Sequence, residues 1–276
     1  MKRKRYSAFT LVVVFTYFST AAASTDAVRE ILSSIQGWQH ERERLGQAAD
    51  SPKTARPFVT LTYAQSLDGK IARIKDAASH ETSSNFPLSG DESLVLTHAL
   101  RSVHDGILIG GGTLRIDNPR LTNRLWEEGN QPRAVVLDTH LSHIQAVGKS
   151  CRLQNPIICC SAEAASSLES LPQSAQILTC QCDSDGNLDI RDVLHQLWAK
   201  CGIRSLMVEG GAGVLSSFLR EPEWIDAMCV TIAPKLLGAA AIGPSFDGMP
   251  RDLTGNARFF ILGTDALLLA STSPSV

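Results

Sequence analysis

The chain has 276 residues, 43% of them hydrophobic and 20% charged, the make-up of a globular protein with a sizeable core. Its formal net charge of −2 lacks the basic surplus that broad nucleic-acid binding needs, so clustered arginines read as local anion sites. The seven cysteines are odd in number and show neither a disulfide framework nor a zinc spacing, which argues against a disulfide-stapled scaffold.

Residues 1–23 have the layout of a secretory signal: the basic run Lys2 to Arg5, the apolar run Ala8 to Phe18, and small residues that allow cleavage after Ala23. The apolar run is short for a membrane helix, so no stable membrane span is expected after cleavage. The cysteine usage of the body suits a reducing compartment, so a secretory or organelle address and a cytoplasmic-type enzyme stand side by side. Residues 24–55 read as a charged helix and linker. Val28, Ile31, Leu32, Ile35, Trp38 and Leu45 recur near helical spacing between Asp26 and Leu45, and Gly46 to Arg56 is polar and small. The apolar face of that helix must dock on the core or on a partner subunit.

Residues 56–276 form the compact domain. Phe58 to Tyr63 alternates as a strand does, and Ser89 to Glu92 is a capping box that predicts a helix with Ser89 as N-cap, running to about Val103. Strands are predicted at Ile107 to Ile109, Ala134 to Leu137, Pro156 to Cys160, Ala175 to Thr179 and Ser205 to Val208. Helices fit at Ala162 to Leu171, at Ile190 to Cys201 before Gly202, and from Gly211 through Leu219. Met228 to Ile232, Arg258 to Leu262 and Ala266 to Leu269 read as strands without helices between them. Alternating strands and helices imply an α/β fold with a mainly parallel central sheet, and the terminal strands imply an antiparallel addition at one edge.

Two strand-end glycine turns mark candidate chemistry. In Val208 to Leu215 a strand ends, Gly210, Gly211 and Gly213 turn the chain, and a helix begins; its free N–H groups are a seat for phosphate. A tight strand-to-helix connection accounts for the glycines equally well, but Glu209 adds a carboxylate at the strand's carboxyl end, where such sheets bind ligands. Gly110 to Thr113 is the second turn, and two such turns on one sheet edge can grip one dinucleotide. Arg101, Arg120 and Arg124 are candidate phosphate ligands, since the guanidinium fork suits phosphate; Arg120 is the weakest of the three. Asp68-Gly69 is a plain turn signal, whereas Lys70 can donate a proton or hold an anion. Histidine spacing gives no support for a catalytic metal, and no nucleophile motif is evident.

The segments RPFVTLTYAQSLDGKIA, LSGDESLVLTHALRSVHDGILIGGGT, DNPRLTNR, PRAVVLD, MVEGGAGVLSSFL and APKLLG, in this order from Arg56 to Gly238, resemble the reductase family of riboflavin biosynthesis. That family also supplies the C-terminal half of the bacterial bifunctional deaminase-reductase. The resemblance implies a dihydrofolate-reductase-like three-layer fold, NADPH as hydride donor and commonly a homodimer. It implies reduction of the ribosylamino side chain of 2,5-diamino-6-ribosylamino-4(3H)-pyrimidinone 5′-phosphate to the ribitylamino form. Cofactor positions fall on Ala64, Thr113, Asp117 and the run Gly211, Ala212, Gly213, Val214, Leu215, Ser216 and Ser217. Substrate positions fall on Asn85, Arg101, Leu121, Arg124 and Glu209, and Lys70 and Glu209 are the catalytic candidates. Asn118 stands where many members carry a second aspartate, Arg73 to Pro87 aligns poorly, and the zinc motifs of the deaminase half are absent. Two rival expectations are a reductase of the same fold for a pterin-like substrate without phosphate, and a non-catalytic nucleotide-binding relative.

Overall fold

The computed structural model describes residues 20–48, 55–76, 81–82, 87–168, 174–245, 253 and 256–272. The elements follow in chain order: α1 (Thr20–Ala48), β1 (Phe58–Ser66), β2 (Ile74–Asp76), β3 (Glu81–Thr82), α2 (Asp91–Ser102), β4 (Gly106–Gly110) and α3 (Gly111–Asp117). Next come β5 (Arg133–Leu137), α4 (Ser142–Val147), β6 (Ile157–Cys160), α5 (Ala162–Ser166), β7 (Gln176–Thr179), α6 (Ile190–Cys201) and β8 (Ser205–Gly210). The chain closes with α7 (Ala212–Arg220), β9 (Ala227–Ala233), β10 (Ala257–Leu262) and β11 (Asp265–Ser271).

Nine strands make one sheet in the order β10-β11-β9-β1-β8-β4-β5-β6-β7, and β2 and β3 pair in a small separate hairpin that periodicity does not predict. Strand residues alternate between two apolar layers. Ile107 and Ile109 face one side with Leu96 and Leu100 of α2 and Ile144 of α4. Leu108 faces the other with Leu194 and Leu197 of α6 and Phe218 of α7. The three-layer, mainly parallel α/β architecture is therefore the one found. The antiparallel edge is narrower than expected: β9 runs parallel to β1, and β11 is the strand that opposes its neighbours. The cause is α7, which lies between β8 and β9 and returns the chain in the same direction.

The capping-box expectation is corrected. Helix α2 starts at Asp91 with Gly90 as N-cap and no side-chain cap of its own. The acceptor comes from far along the chain: Asp265 Oδ2 takes the Gly90 N–H at 2.8 Å and the Ser93 hydroxyl at 2.7 Å. A carboxylate beside a helix N-terminus is favoured by the partial positive charge there, so the distant aspartate replaces Ser89. Helix α5 ends at Ser166, ahead of the expected Leu171, which lies outside the described residues. Helix α6 has the expected bounds, with Asp189 as N-cap and Gly202 in the left-handed conformation at φ 70°.

Helix α1 answers its own docking question. Val28, Ile31, Leu32 and Ile35 are buried in the core layer shared with α2 and β10. Each such side chain contributes about 1.5–3 kcal/mol when fully buried. Arg42 reaches Asp226 at 2.5 Å and Gln39 Nε2 donates to the Val103 carbonyl at 3.1 Å. The helix begins at Thr20, ahead of the expected cleavage point after Ala23. Among the described residues no helix is long and apolar enough to cross a membrane.

Candidate functional site

The parallel strands β1, β8, β4 and β5 end along one edge, and the expected site residues collect there because a strand-to-helix connection must leave the sheet at that end. The β8-to-α7 turn is built on two glycines in the left-handed half of backbone space, Gly210 at φ 90° and Gly211 at φ 70°. A Cβ on Gly211 would stand 2.6 Å from Thr113 Oγ1, so the two glycine turns meet here. Helix α7 then opens without a side-chain cap, leaving its first N–H groups to be satisfied from outside. The Gly110 to Thr113 stretch, read as a loop from sequence, is instead the start of α3.

Between these turns, the start of α4 and the segment 243–245 lies a cleft of about 640 Å³. Ala212, Gly213, Val214, Ser216 and Ser217 of the expected cofactor run line it, with Gly111 and Gly112. Leu215 is buried in the core, directly beneath Gly210. The Ser216 hydroxyl is committed to the Ala212 carbonyl at 2.7 Å and accepts the Ser245 N–H at 2.9 Å, which fastens the segment 243–245 to α7. Asp117 is exposed on the last turn of α3, and Ala64 is half-buried on β1 opposite Thr231 of β9.

On the α2 side of β8, Arg101 and Glu209 form a bidentate pair. Arg101 Nε donates to Glu209 Oε1 at 2.8 Å and Nη2 to Oε2 at 2.8 Å, while Nη1 reaches the Thr122 carbonyl at 3.2 Å. Both side chains are largely buried, at 11% and 17% exposure. Burial works to lower the Arg101 guanidinium, but Glu209 outweighs it and the group is held above its ordinary value. Arg124 is exposed beside this pair and donates to the Thr122 hydroxyl at 2.7 Å. Desolvation and then the charges of Arg101, Arg120 and Arg152 lower its guanidinium. The backbone that carries Arg124 is pinned from below: its N–H donates to His98 Nδ1 at 2.9 Å. Burial, then the charges of Arg101 and Arg124, push the His98 imidazole down to about 4 and keep it neutral as that acceptor. Leu121 is buried with a φ of 52°, so it turns the chain between Arg120 and Arg124 rather than presenting a polar group.

Lys70 sits on a tight loop closed on itself. Ser66 N–H donates to the Lys70 carbonyl at 2.8 Å, and Lys70 N–H donates to Ser66 Oγ at 3.0 Å. Asp68 takes the plain structural part expected of it. Its carboxylate accepts the Ser66 hydroxyl at 2.5 Å and the N–H groups of Leu237 and Gly238 at 3.1 and 2.7 Å. Those donors, the Ser66 hydroxyl foremost, hold its carboxyl down to about 2. The loop reaches the cleft through Gly243, where a Cβ would stand 2.4 Å from the Gly69 carbonyl oxygen and 3.5 Å from Lys70 Cδ. Asn85 lies outside the described residues.

Asn118 has a local reason to be an amide. It caps α3 in the left-handed conformation, donates through Nδ2 to the Ser150 carbonyl at 2.7 Å and accepts the Arg152 N–H through Oδ1 at 3.1 Å. A carboxylate cannot make the first of these bonds. Sequence reasoning missed Arg152, which this amide brings to Arg124, and His140 and His143, which line the cleft beyond β5. Asp138, at the carboxyl end of β5, was the available signal for the two histidines: it marks a strand end on the ligand edge.

The profile of the RibD C-terminal domain matches residues 57–257. The 2,5-diamino-6-ribosylamino-4(3H)-pyrimidinone 5′-phosphate reductase of Kluyveromyces marxianus is 33% identical over 202 residues, 68% of this chain and 76% of that protein. Its counterpart in Debaryomyces hansenii is 34% identical over 218 residues, 71% and 83% of the two chains. The structure of the Saccharomyces cerevisiae riboflavin biosynthesis reductase Rib7 superposes with a TM-score of 0.63 at 28% identity, covering 83% of this chain and 94% of that one. With the profile matched over most of the chain and relatives above 30% identity, this chain belongs to the RibD C-terminal domain family.

Proposed function

We propose that this protein reduces 2,5-diamino-6-ribosylamino-4(3H)-pyrimidinone 5′-phosphate to its ribitylamino form with NADPH. The observation that carries the reading is the arginine cluster: Arg101, paired with Glu209 on β8, and the exposed Arg124 both bond to Thr122, while the turn and helix that follow β8 line a cleft of about 640 Å³. The cleft suits a dinucleotide because Gly111, Gly112 and Gly213 line it with bare backbone and α7 offers an uncapped N-terminus to a pyrophosphate.

When bound, the reduced nicotinamide supplies the hydride that the opened sugar accepts at C1′. Arg124 holds the 5′-phosphate, and Arg101 keeps two N–H donors for the same ligand after its bonds to Glu209 and Thr122 are counted. Glu209 has both oxygens on Arg101 and serves by fixing the plane of that guanidinium. Lys70 provides the proton that the ring oxygen takes as the sugar opens, from a loop that Asp68 and Gly243 hold rigid against the cleft. A homodimer belongs to the same reading, supported by exposed Leu67 and Leu236 on neighbouring loops and by exposed Phe259 and Ile261 on the outer strand β10.

The test is NADPH oxidation by the purified protein with that substrate. Oxidation that depends on the substrate, with KM raised about 10–100-fold in Arg124→Ala and an unchanged melting temperature, is the expected result. Oxidation with a pterin lacking phosphate, indifferent to Arg124→Ala, establishes the rival substrate. Binding of NADPH without oxidation establishes a non-catalytic relative.

A further inference from the structure

Arg124 lies between α3 and β5 in a stretch without helix or strand. An arginine on a mobile backbone gives up part of its hold on an anion to the cost of ordering that backbone. Here the backbone is held by side chains at three consecutive residues. The Thr122 carbonyl accepts from Arg101 Nη1 at 3.2 Å. The Gln131 amide pairs with both backbone groups of Asn123, accepting its N–H at 2.8 Å and donating to its carbonyl at 2.8 Å. The Arg124 N–H donates to His98 Nδ1 at 2.9 Å. Asn123 closes the far side, its amide accepting the Trp126 N–H at 3.1 Å and donating to the Trp126 carbonyl at 2.7 Å.

His98 and Arg101 are three residues apart on α2, so one face of that helix grips the stretch at both Thr122 and Arg124. His98 is 1% exposed, and its Nδ1 is the acceptor, so the ring proton sits on Nε2. With the imidazole gone, the Arg124 N–H is left unpaired against an apolar wall and the backbone has to move to satisfy it. The side chain follows its backbone. Arg124 Nη1 is drawn back onto the Thr122 hydroxyl at 2.7 Å, which leaves Nε and Nη2 without a partner among the described residues. Gln131 is exposed, and its two bonds to Asn123 fix the residue that precedes Arg124.

We infer that His98 and Gln131 are positioning residues for the substrate phosphate: they touch no ligand and act by fixing the Asn123–Arg124 backbone so that the Arg124 guanidinium is aimed before the anion arrives. The inference rests on the substrate reading of Arg124 above and goes beyond it by naming the residues through which the fold sets that arginine. The experiment measures kcat and KM for the pyrimidinone phosphate at saturating NADPH, with the full chain, in a double-mutant cycle. His98→Phe keeps a ring and removes the acceptor; KM is expected to rise about 10-fold, with kcat within about 2-fold and NADPH affinity unchanged. Asparagine keeps an acceptor at the place of Nδ1, so His98→Asn is expected to stay within about 3-fold of the wild type. Gln131→Ala, at an exposed position that the core does not depend on, is expected to raise KM about 3-fold. In an Arg124→Ala background neither His98→Phe nor Gln131→Ala raises KM further, because both act through the arginine already removed. KM raised by the same factor with and without Arg124 overturns the inference, as does a KM unchanged in both single variants or a His98→Asn as impaired as His98→Phe. In each of those cases a raised KM in Arg124→Ala alone leaves the substrate reading intact. A wild type that does not oxidise NADPH with this substrate overturns both.

Discussion

Two arginine–carboxylate pairs sit at opposite ends of the same sheet, and they differ in how completely they are closed. At the amino end, Asp226 is 3% exposed and saturated: it accepts from Arg56 at 2.6 and 3.0 Å, from Arg42 at 2.5 Å and from the Val59 N–H at 2.8 Å, while Arg56 lies under the Trp224 ring. At the carboxyl end, Glu209 makes the same bidentate bond to Arg101, but Arg101 shares Thr122 with the exposed Arg124, on which the charges of Arg120 and Arg152 also act. The chemistry of the pair is the same. A carboxylate with all its lone pairs engaged is a fastener, and one that leaves cations over is a receptor for an anion.

Asp226→Ala is the strongest way to break the contrast. It strands Arg56 in a buried site, with the half-buried Arg42 beside it, and is expected to cost about 3–5 kcal/mol in urea unfolding, with the activity of the folded fraction retained. A loss of activity without a loss of stability overturns the division between the two ends.

Acid is expected to loosen the protein next. His98 and His104 are both buried and both titrate at about 4, against 6.5 in the unfolded chain. His104 is neutral because burial outweighs its bond to the Leu100 carbonyl and the charge of Asp105, and His98 holds the Arg124 backbone. The unfolded chain binds the extra protons, so the stability they contribute is complete above pH 6.5 and falls away as pH drops through 4. His104 alone accounts for on the order of 3 kcal/mol, and His104→Gln should flatten a plot of unfolding free energy against pH across that window.

Glu209→Gln sharpens the comparison from the other side. It keeps the shape and removes the charge, so the stability cost is expected near 1–2 kcal/mol, while kcat/KM falls about 100-fold because Arg101 loses its fixed plane. Rescue of binding at higher substrate concentration with kcat still low separates positioning from simple affinity. The smallest effect belongs to the exposed pair Arg29–Glu128 at 3.0 Å, where Arg29→Ala should change stability by less than about 1 kcal/mol.

Much of this was legible in the chain. Strands read from Ile107 to Ile109 and from Ser205 to Val208 are β4 and β8, and the helix before Gly202 has its expected bounds. Arg101 and Arg124 were singled out from their closeness to one glycine turn, and both lie against Thr122. The misses share a cause. Ser89 was a good local cap that lost to Asp265, which approaches only when β11 forms. Arg152 and the two histidines carry no motif, and they reach the site through Asn118 and Asp138, whose side chains capture backbone on other elements.

Residue periodicity, glycine turns and helix stops act over a few residues, so the order of strands and helices and the two turns were written in local sequence. Which carboxylate saturates and which stays open, and where α1 docks, depend on contacts far apart in the chain. Arg101 and Glu209 are 108 residues apart, and Arg56 and Asp226 are 170 apart. Such pairs acquire their meaning from burial and from the count of donors around them, and both quantities exist only once the sheet has brought its two ends together.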